Sequence, residues 1–160
     1  MFTGIIKSLG RIEKINKFDS KLELWVEVDS DIWNRTDVGD SIAINGVCLT
    51  LVKKEMFDEN SIDSKEKPLT CFYFIFDVVD ETLDKTNLGT MGFCEYVNIE
   101  TPLKLSDGLD GHIVQGHIDT IGQIISNELI DDNWLLEVKI DKKWLKIRRD
   151  YKKDIAKDQK

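Results

Sequence analysis

The fold is decided by the sequence SIAINGVCLTLV at residues 41–52. Two apolar, β-branched runs, residues 41–44 and 47–52, are separated by the dipeptide Asn45-Gly46. Asn-Gly between apolar runs is a strong signal of a two-residue hairpin turn, because both residues tolerate the positive φ angles that the turn needs. The stretch therefore predicts two strands joined by a tight turn.

Strand signals also occur on both sides of this hairpin. Residues 22–28 alternate apolar and polar side chains, which is the period-2 pattern of a half-buried strand. Further strands are predicted at residues 71–79 and 96–100, and only residues 81–86 indicate a brief helical turn. Many short strands with turn signals between them predict a small barrel or sandwich.

The segment at residues 53–69, KKEMFDENSIDSKEKPL, has a different composition. It is polar and highly charged, and it carries Pro68, one of the two prolines of the chain. Such a composition predicts a flexible loop set between two strands. A solvated insertion is favoured over a functional lid.

An internal repeat appears when the chain is aligned on itself with residue 116 opposite residue 4. Eight identities fall within residues 2–29, where about 2 are expected from composition. The matched pairs are Gly4/Gly116, Ile6/Ile118, Gly10/Gly122, Ile12/Ile124, Asp19/Asp131, Leu24/Leu136, Val26/Val138 and Asp29/Asp141. A second copy of the same β unit is therefore predicted to begin near His112.

Composition and charge restrict the function classes. The 160 residues carry a formal net charge of −8, which disfavours nucleic-acid binding because affinity for phosphate backbones comes mainly from cationic side chains. No apolar run approaches the roughly 20 residues of a membrane-spanning helix, and the first residues do not have the pattern of a secretory signal. The three cysteines form no CxxC pair, so a disulfide framework and a zinc site are both disfavoured and a cytoplasmic location is expected.

Several motifs in the same order closely resemble those of riboflavin synthase, of the lumazine-binding-domain family. They are MFTGII at 1–6, GDSIAINGVCLT at 39–50, DVVDETL at 77–83 with TNL at 86–88, VNIE at 97–100 and GHIVQGHID at 111–119. The resemblance covers about residues 1–150.

The resemblance implies an all-β fold: a six-stranded antiparallel Greek-key barrel, followed here by an incomplete second copy. The first lumazine-binding barrel is expected at residues 1–103 and the start of the second at residues 104–160. The family's later motifs and its trimer-forming helix have no counterpart in these 160 residues. We therefore expect a truncated second barrel and no stable trimer, although the family is homotrimeric.

The activity implied by the resemblance is the last step of riboflavin biosynthesis. Two molecules of 6,7-dimethyl-8-ribityllumazine undergo dismutation to riboflavin and 5-amino-6-(D-ribitylamino)uracil. A four-carbon unit passes between them, so the enzyme is a transferase, and the resemblance implies that it uses no metal and no separate cofactor. We expect weak or no activity from this chain alone. The alternative is a non-catalytic protein that binds lumazine or flavin as an optical antenna.

The resemblance also assigns substrate-binding residues to four segments. These residues are Gly4, Ile5, Ile6, Cys48, Leu49, Thr50, Asp77, Val78, Val79, Asp80, Glu81, Thr82, Gly116, His117 and Ile118. Backbone groups and hydroxyls suit the edge of the heterocycle, and carboxylates suit the hydroxyls of the ribityl chain. From the residues alone, residues 4–6 are also compatible with ordinary strand backbone, and residues 81–82 with helix capping.

His117, Cys48 and Ser41 are the candidate catalytic residues. Histidine is the side chain that titrates near neutrality, so it suits the removal of a proton from the C7 methyl group of lumazine. A free cysteine in an apolar strand is more often a small buried hydrophobe than a nucleophile. Because Gly116–Ile118 is the repeat partner of Gly4–Ile6, His117 is assigned to the pocket of the second barrel.

Overall fold

The computed structural model describes residues 1–59 and 69–144, and its two compact units divide after Ile118. In the first unit the strands are β1 (Ser8–Lys17), β2 (Lys21–Val28), β3 (Ser41–Ile44), β4 (Val47–Glu59), β5 (Leu69–Val79) and β6 (Tyr96–Glu100). They form a closed antiparallel barrel in the order β1-β2-β5-β4-β3-β6. Since β2 lies beside β5 while β3, β4 and β5 follow one another, the connection is a Greek key. The predicted all-β fold is confirmed.

Two short helices follow strands of this barrel. Helix α1 (Ser30–Arg35) follows β2, and helix α2 (Asp80–Lys85) follows β5. The sequence predicted α2 but carried no signal for α1, whose first turn is capped by the Asp29 carboxylate accepting from the Ile32 N–H at 2.8 Å. A single 3-10 turn, Leu88–Thr90, precedes β6.

The hairpin of β3 and β4 has the predicted tight turn. Asn45 and Gly46 have φ angles of 49° and 82°, as the two central residues of such a turn require. Ile42, Ile44 and Leu49 point inward and belong to the core of the barrel. The alternation that predicted the hairpin thus places its apolar face in the core.

The predicted loop at residues 53–69 is wrong for residues 53–59, which belong to β4. The register of β4 with β5 runs from Leu51 opposite Phe76 to Glu59 opposite Leu69. Across these strands the ring of Phe57 meets that of Tyr73 edge-on, with centroids 5.6 Å apart. Cross-strand aromatic contacts of this kind stabilise a strand whose composition is otherwise polar. Residues 60–68 of the predicted loop lie outside the described residues.

Lys54 shows how a charged residue is accommodated on β4. Its ammonium group donates to the carbonyl oxygens of Trp33 and Thr36 at the end of α1, at 2.7 Å each. It also lies 4.3 Å from the centroid of the Trp33 ring, within the range of a cation–π interaction. Lys54 therefore ties α1 to the barrel wall.

We expect Lys54→Met to lower the free energy of unfolding by about 2 kcal/mol, the scale of hydrogen bonds to a charged donor. The neighbouring Lys53 is the matched control, because its side chain is 62% exposed and its one ion pair within the described residues is with Glu55. Lys53→Met should cost less than about 1 kcal/mol. Urea unfolding followed by circular dichroism measures both variants, and equal losses would contradict this role of Lys54.

The first compact unit extends beyond the boundary at residue 103 that the sequence suggested, as far as Ile118. The reason is a set of backbone hydrogen bonds that tie residues 103–116 to the start of the chain and to the barrel. The Leu103 N–H donates to the Met1 carbonyl at 3.0 Å, and the Cys48 N–H donates to the Gly116 carbonyl at 2.9 Å.

The second unit, described from Asp119 to residue 144, contains one hairpin of β7 (Gln123–Ile130) and β8 (Asn133–Lys139). Its register reproduces that of β1 and β2 at the same offset as the sequence repeat. The irregularity between Ile12 and Lys14 recurs between Ile124 and Ser126. Among the described residues, no helix is long and apolar enough to cross a membrane.

Candidate functional site

Two chain segments that are far apart in sequence pair side by side on the barrel. Phe2 and Val114 exchange backbone hydrogen bonds of 2.8 and 3.0 Å, and the His112 N–H donates to the Thr3 carbonyl at 2.9 Å. We call residues 1–4 and 112–116 the ribbon. Phe2 and Val114 occupy equivalent positions in the sequence repeat, so the two copies of this segment pair with each other.

Gly116 joins the ribbon to the β3–β4 hairpin. Its carbonyl accepts the Cys48 N–H, and its φ angle is +75°. A Cβ atom at this position would lie 3.0 Å from the Cys48 Cβ, the Cys48 N and the Gly46 carbonyl oxygen. Glycine is therefore required here both by the backbone conformation and by the close approach of the two backbones.

A cavity of about 340 Å³ opens where the ribbon meets the barrel. Strand β4 contributes Val47 and Cys48, and the chain that continues the ribbon contributes His117 and Ile118. Helix α2 and the residue after it contribute Glu81, Thr82, Lys85 and Thr86. The volume lies at the lower end of the range for small-molecule sites.

The cavity has a simple origin in the strand register. The ladder between β4 and β5 begins at Leu51 opposite Phe76. In the described register, residues 47–50 of β4 and Asp77–Val79 of β5 do not pair with each other. The first set pairs with β3, and the second set pairs with β2. The two strands therefore part at this end of the barrel, and α2 lies next to the opening.

Helix α2 presents polar groups to the cavity. No side chain caps its N-terminus, so the capping alternative for Glu81 and Thr82 is not what the structure has. The Thr82 carbonyl accepts from the Thr86 hydroxyl at 2.7 Å, while the Thr82 hydroxyl has no hydrogen-bond partner among the described residues. A ligand in the cavity could use that hydroxyl as donor and acceptor.

Glu81 and Lys85 form an ion pair of 2.7 Å, one helical turn apart. The hydrogen bond from Lys85, reinforced by its charge, holds the pKa of Glu81 below its usual value. Glu81 therefore stays ionised at lower pH than a free glutamate, and it keeps acceptor oxygens at the cavity edge.

Of the predicted site residues, one group comes together in this cavity. Cys48, Glu81, Thr82, Gly116, His117 and Ile118 all line it. They come from three segments that are far apart in sequence. Ile118 also packs against the barrel core.

Gly116–Ile118, which the sequence repeat assigned to the pocket of a second barrel, lie against the first barrel in the structure. These three residues belong to the first compact unit and lie against its strand β4. The physical reason is the hydrogen bond between Cys48 and Gly116, which places the segment across the first barrel.

Other predicted residues lie elsewhere. Ser41 and Thr50 face each other in the β3–β4 register and are not in the cavity lining. Leu49 and Val78 point into the barrel core. Asp77 pairs with Lys21 at 2.7 Å, Val79 is exposed, and Asp80 is exposed in the first turn of α2.

Gly4 and Ile6 line a different cavity of about 280 Å³, together with Phe2, Val114 and Gly116 of the ribbon. Ile5 lines a separate cleft beside Glu100. Residues 4–6 therefore do not line the cavity that holds Cys48 and Thr82, although Gly116 lines both that cavity and the one beside Gly4.

Sequence reasoning missed Val47, Lys85 and Thr86 in the cavity lining. The spacing of Lys85 four residues after Glu81 was a usable signal, since such pairs share one face of a helix. Val47 carried no signal, because an apolar strand residue is expected in a core.

Comparison with known proteins identifies the family of this chain. The model of the family described as "Lumazine binding domain" matches residues 3–102. Riboflavin synthase of Buchnera aphidicola subsp. Schizaphis graminum is 35% identical over 140 residues, which are 88% of this chain and 60% of that protein. The enzyme of Actinobacillus pleuropneumoniae is 36% identical over 124 residues, 78% of this chain and 50% of that protein.

Solved structures agree with the fold. LumP complexed with riboflavin has a TM-score of 0.70 at 23% identity, covering 91% of this chain and 71% of that one. LumP complexed with 6,7-dimethyl-8-(1'-D-ribityl) lumazine has a TM-score of 0.67 at 22% identity, covering 92% of this chain and 70% of that one.

The chain spans about 50–60% of the length of the riboflavin synthases that it matches. The family match, in contrast, covers the whole barrel from Thr3 to Pro102. The chain therefore belongs to the lumazine-binding-domain family.

Proposed function

We propose that the cavity beside α2 binds 6,7-dimethyl-8-ribityllumazine and that the chain acts in the riboflavin synthase reaction. The observation that carries the proposal is the meeting of Cys48, Thr82 and His117 around one cavity in a lumazine-binding-domain barrel. Riboflavin, as the product, would occupy the same cavity.

The polar groups of the cavity suit a flat heterocycle with a polyhydroxyl chain. The Thr82 hydroxyl can bond the ring edge, and the ionised Glu81 can accept from ribityl hydroxyls. Cys48 and Ile118 supply apolar contact to the ring face. In this assignment Cys48 is a packing residue rather than a nucleophile.

His117 is the proposed proton-transfer group. It is exposed at the cavity, and its ring has no hydrogen-bond partner among the described residues. A neutral imidazole can take a proton from the C7 methyl group of bound lumazine and return it later in the reaction. Ser41, outside the cavity lining, has no role in this proposal.

The proposed dismutation needs two lumazines face to face, since one gives its four-carbon unit to the other. We propose that the reaction uses no metal or separate cofactor, and that most of its acceleration comes from aligning the two rings. We propose that the β7–β8 hairpin, whose register repeats that of β1 and β2, begins a second lumazine-binding barrel. The second ring would be held by another copy of the chain.

Fluorescence titration with 6,7-dimethyl-8-ribityllumazine, followed by a riboflavin-formation assay, tests the function. We expect a Kd below about 1 mM, which corresponds to a binding free energy more favourable than about −4 kcal/mol. Binding without any riboflavin formation would support the non-catalytic lumazine binder instead. No fluorescence change at that concentration would overturn the proposed site.

His117→Ala separates binding from catalysis. We expect the affinity for lumazine to change by less than about threefold, while riboflavin formation slows by about 100-fold or more, the usual contribution of a general acid or base. His112→Ala is the control, because His112 lies on the ribbon and does not line the cavity. Equal rates for the two variants would remove His117 from the chemistry.

A further inference from the structure

Three residues form a row across the outer wall of the barrel beneath the ribbon. Glu100 of β6 lies opposite Ala43 of β3, and Ala43 lies opposite Cys48 of β4. The neighbouring Ile44 and Ile99 point into the core, so the row points outward. One end of the row is Cys48 at the cavity, and the other end is Glu100.

Glu100 is a buried carboxylate, 8% exposed, that binds the ribbon. Its Oε1 atom accepts from the Thr3 N–H at 2.6 Å, the Thr3 hydroxyl at 2.9 Å and the Gly4 N–H at 3.0 Å. A buried carboxylate is costly unless donors surround it, and hydrogen bonds to an ionised acceptor are among the stronger ones. The start of the chain is therefore fixed at Glu100.

A short path of hydrogen bonds leads from Glu100 to the cavity. Thr3, held by Glu100, accepts from His112, and Phe2 and Val114 bond each other in both directions. Two residues further on, Gly116 accepts from Cys48. The ribbon thus crosses the wall and is hydrogen-bonded at both ends of the row. Thr3 and Gly4 donate to Glu100 at one end, and Gly116 accepts from Cys48 at the other. Ala43, between the two ends, is small and buried, which lets the ribbon approach.

We propose that Glu100 is a positioning residue for the lumazine site. By fixing Thr3 and Gly4 it holds the ribbon on the barrel, and so it sets where His117 and Ile118 stand in the cavity. The inference rests on the proposed function for the identity of the ligand, but the coupling of Glu100 to Gly116 needs no ligand.

Amide hydrogen exchange of the ligand-free protein tests the coupling. In Glu100→Ala we expect the amides of Cys48 and Val114 to exchange about tenfold faster or more, because their acceptors, the carbonyls of Gly116 and Phe2, both lie on the ribbon. Thr36→Val is the matched control: it removes a buried hydrogen bond to Ile32, away from the ribbon. The control should leave both amides within about twofold of the wild type. Unchanged protection of Cys48 in folded Glu100→Ala would overturn the inference.

Lumazine titration of a double-mutant cycle tests the consequence for the site. Glu100→Ala should weaken lumazine binding about tenfold in the wild-type background and much less in the Ile118→Ala background. In that background the ligand contact of Ile118 is already deleted, so its displacement by Glu100→Ala costs nothing further. Equal losses in both backgrounds would show a general effect on folding and would overturn the role. If the wild type does not bind lumazine, the proposed function fails while the exchange result still decides the coupling.

If Glu100→Ala does not fold, the milder variants Thr3→Val and Glu100→Gln test the same hydrogen bonds. Thr3→Val removes one of the three donors and should accelerate exchange at Val114 by a smaller factor than Glu100→Ala. In Glu100→Gln the amide oxygen can still accept, so exchange and affinity should lie closer to the wild type. A glutamine variant as impaired as alanine would contradict positioning by these hydrogen bonds.

Discussion

Gly116→Ala is expected to weaken lumazine binding by about 100-fold, equivalent to about 2.7 kcal/mol. The new methyl group would lie 3.0 Å from backbone and Cβ atoms of the hairpin, and alanine also disfavours the φ angle of +75°. A left-handed conformation costs a non-glycine residue about 1–2 kcal/mol, and overpacking adds about 1–3 kcal/mol. The ribbon can relieve the conformational strain and the overpacking by moving away from β4. That movement removes one wall of the cavity.

Gly4→Ala is the matched control for this substitution. Gly4 has nearly the same φ angle, +82°, but a Cβ atom there would meet nothing within 4 Å. We expect only the conformational cost and a loss of affinity below about tenfold. Fluorescence titration of both variants, with circular dichroism to verify the barrel, makes the comparison. Equal affinities would show that the approach of Gly116 to Cys48 does not form the site.

Phe74→Ala should lower the free energy of unfolding by about 3–5 kcal/mol, the range for removing a fully buried aromatic ring. Phe74 is 0% exposed, stacks on Trp33 with centroids 5.8 Å apart and meets Phe76 edge-on. Its loss would leave a cavity where α1, β5 and the barrel core meet. Guanidinium unfolding measured by tryptophan fluorescence gives the value.

Phe57→Ala makes the same chemical change at a site that is 51% exposed. It should cost less than about 1 kcal/mol, because the ring is half exposed and packs against Tyr73 on the outer wall. A loss as large as that of Phe74→Ala would mean that the outer aromatic contacts, rather than the barrel core, dominate stability.

Several strands of the barrel were predictable because their signals are local, whereas closure into a barrel was implied by the family resemblance. Period-2 alternation at residues 22–28 and the Asn45-Gly46 turn depend only on neighbouring residues, and both predictions are confirmed. Residues 53–59 were not predictable in this way, since Lys54 is accommodated by carbonyl groups of α1, an element well before it in the chain. A polar strand supported by long-range contacts has the composition of a loop.

The candidate site was predictable in its parts but not in its assembly. Motif resemblance selected Cys48, Thr82 and His117, which line one cavity. It could not show that residues 4–6 line other cavities, because a motif does not reveal the long-range backbone hydrogen bonds of the folded chain. Glu100 was missed for a related reason: a carboxylate at the end of a strand usually faces water, and only the fold brings Thr3 to it.

The pairing of Phe2 with Val114 resembles an isologous contact between two identical subunits. Residue i of one segment bonds its own counterpart in the other, which is what a two-fold axis between identical copies produces. Here one covalent chain supplies both copies, so the local dyad is built in and does not depend on protein concentration. The two halves differ in their surroundings: Phe2 is a buried aromatic, whereas its counterpart Val114 is 40% exposed. A symmetric contact within one chain is thereby free to become asymmetric: one half is fixed at Glu100, and the other leads to the cavity beside α2.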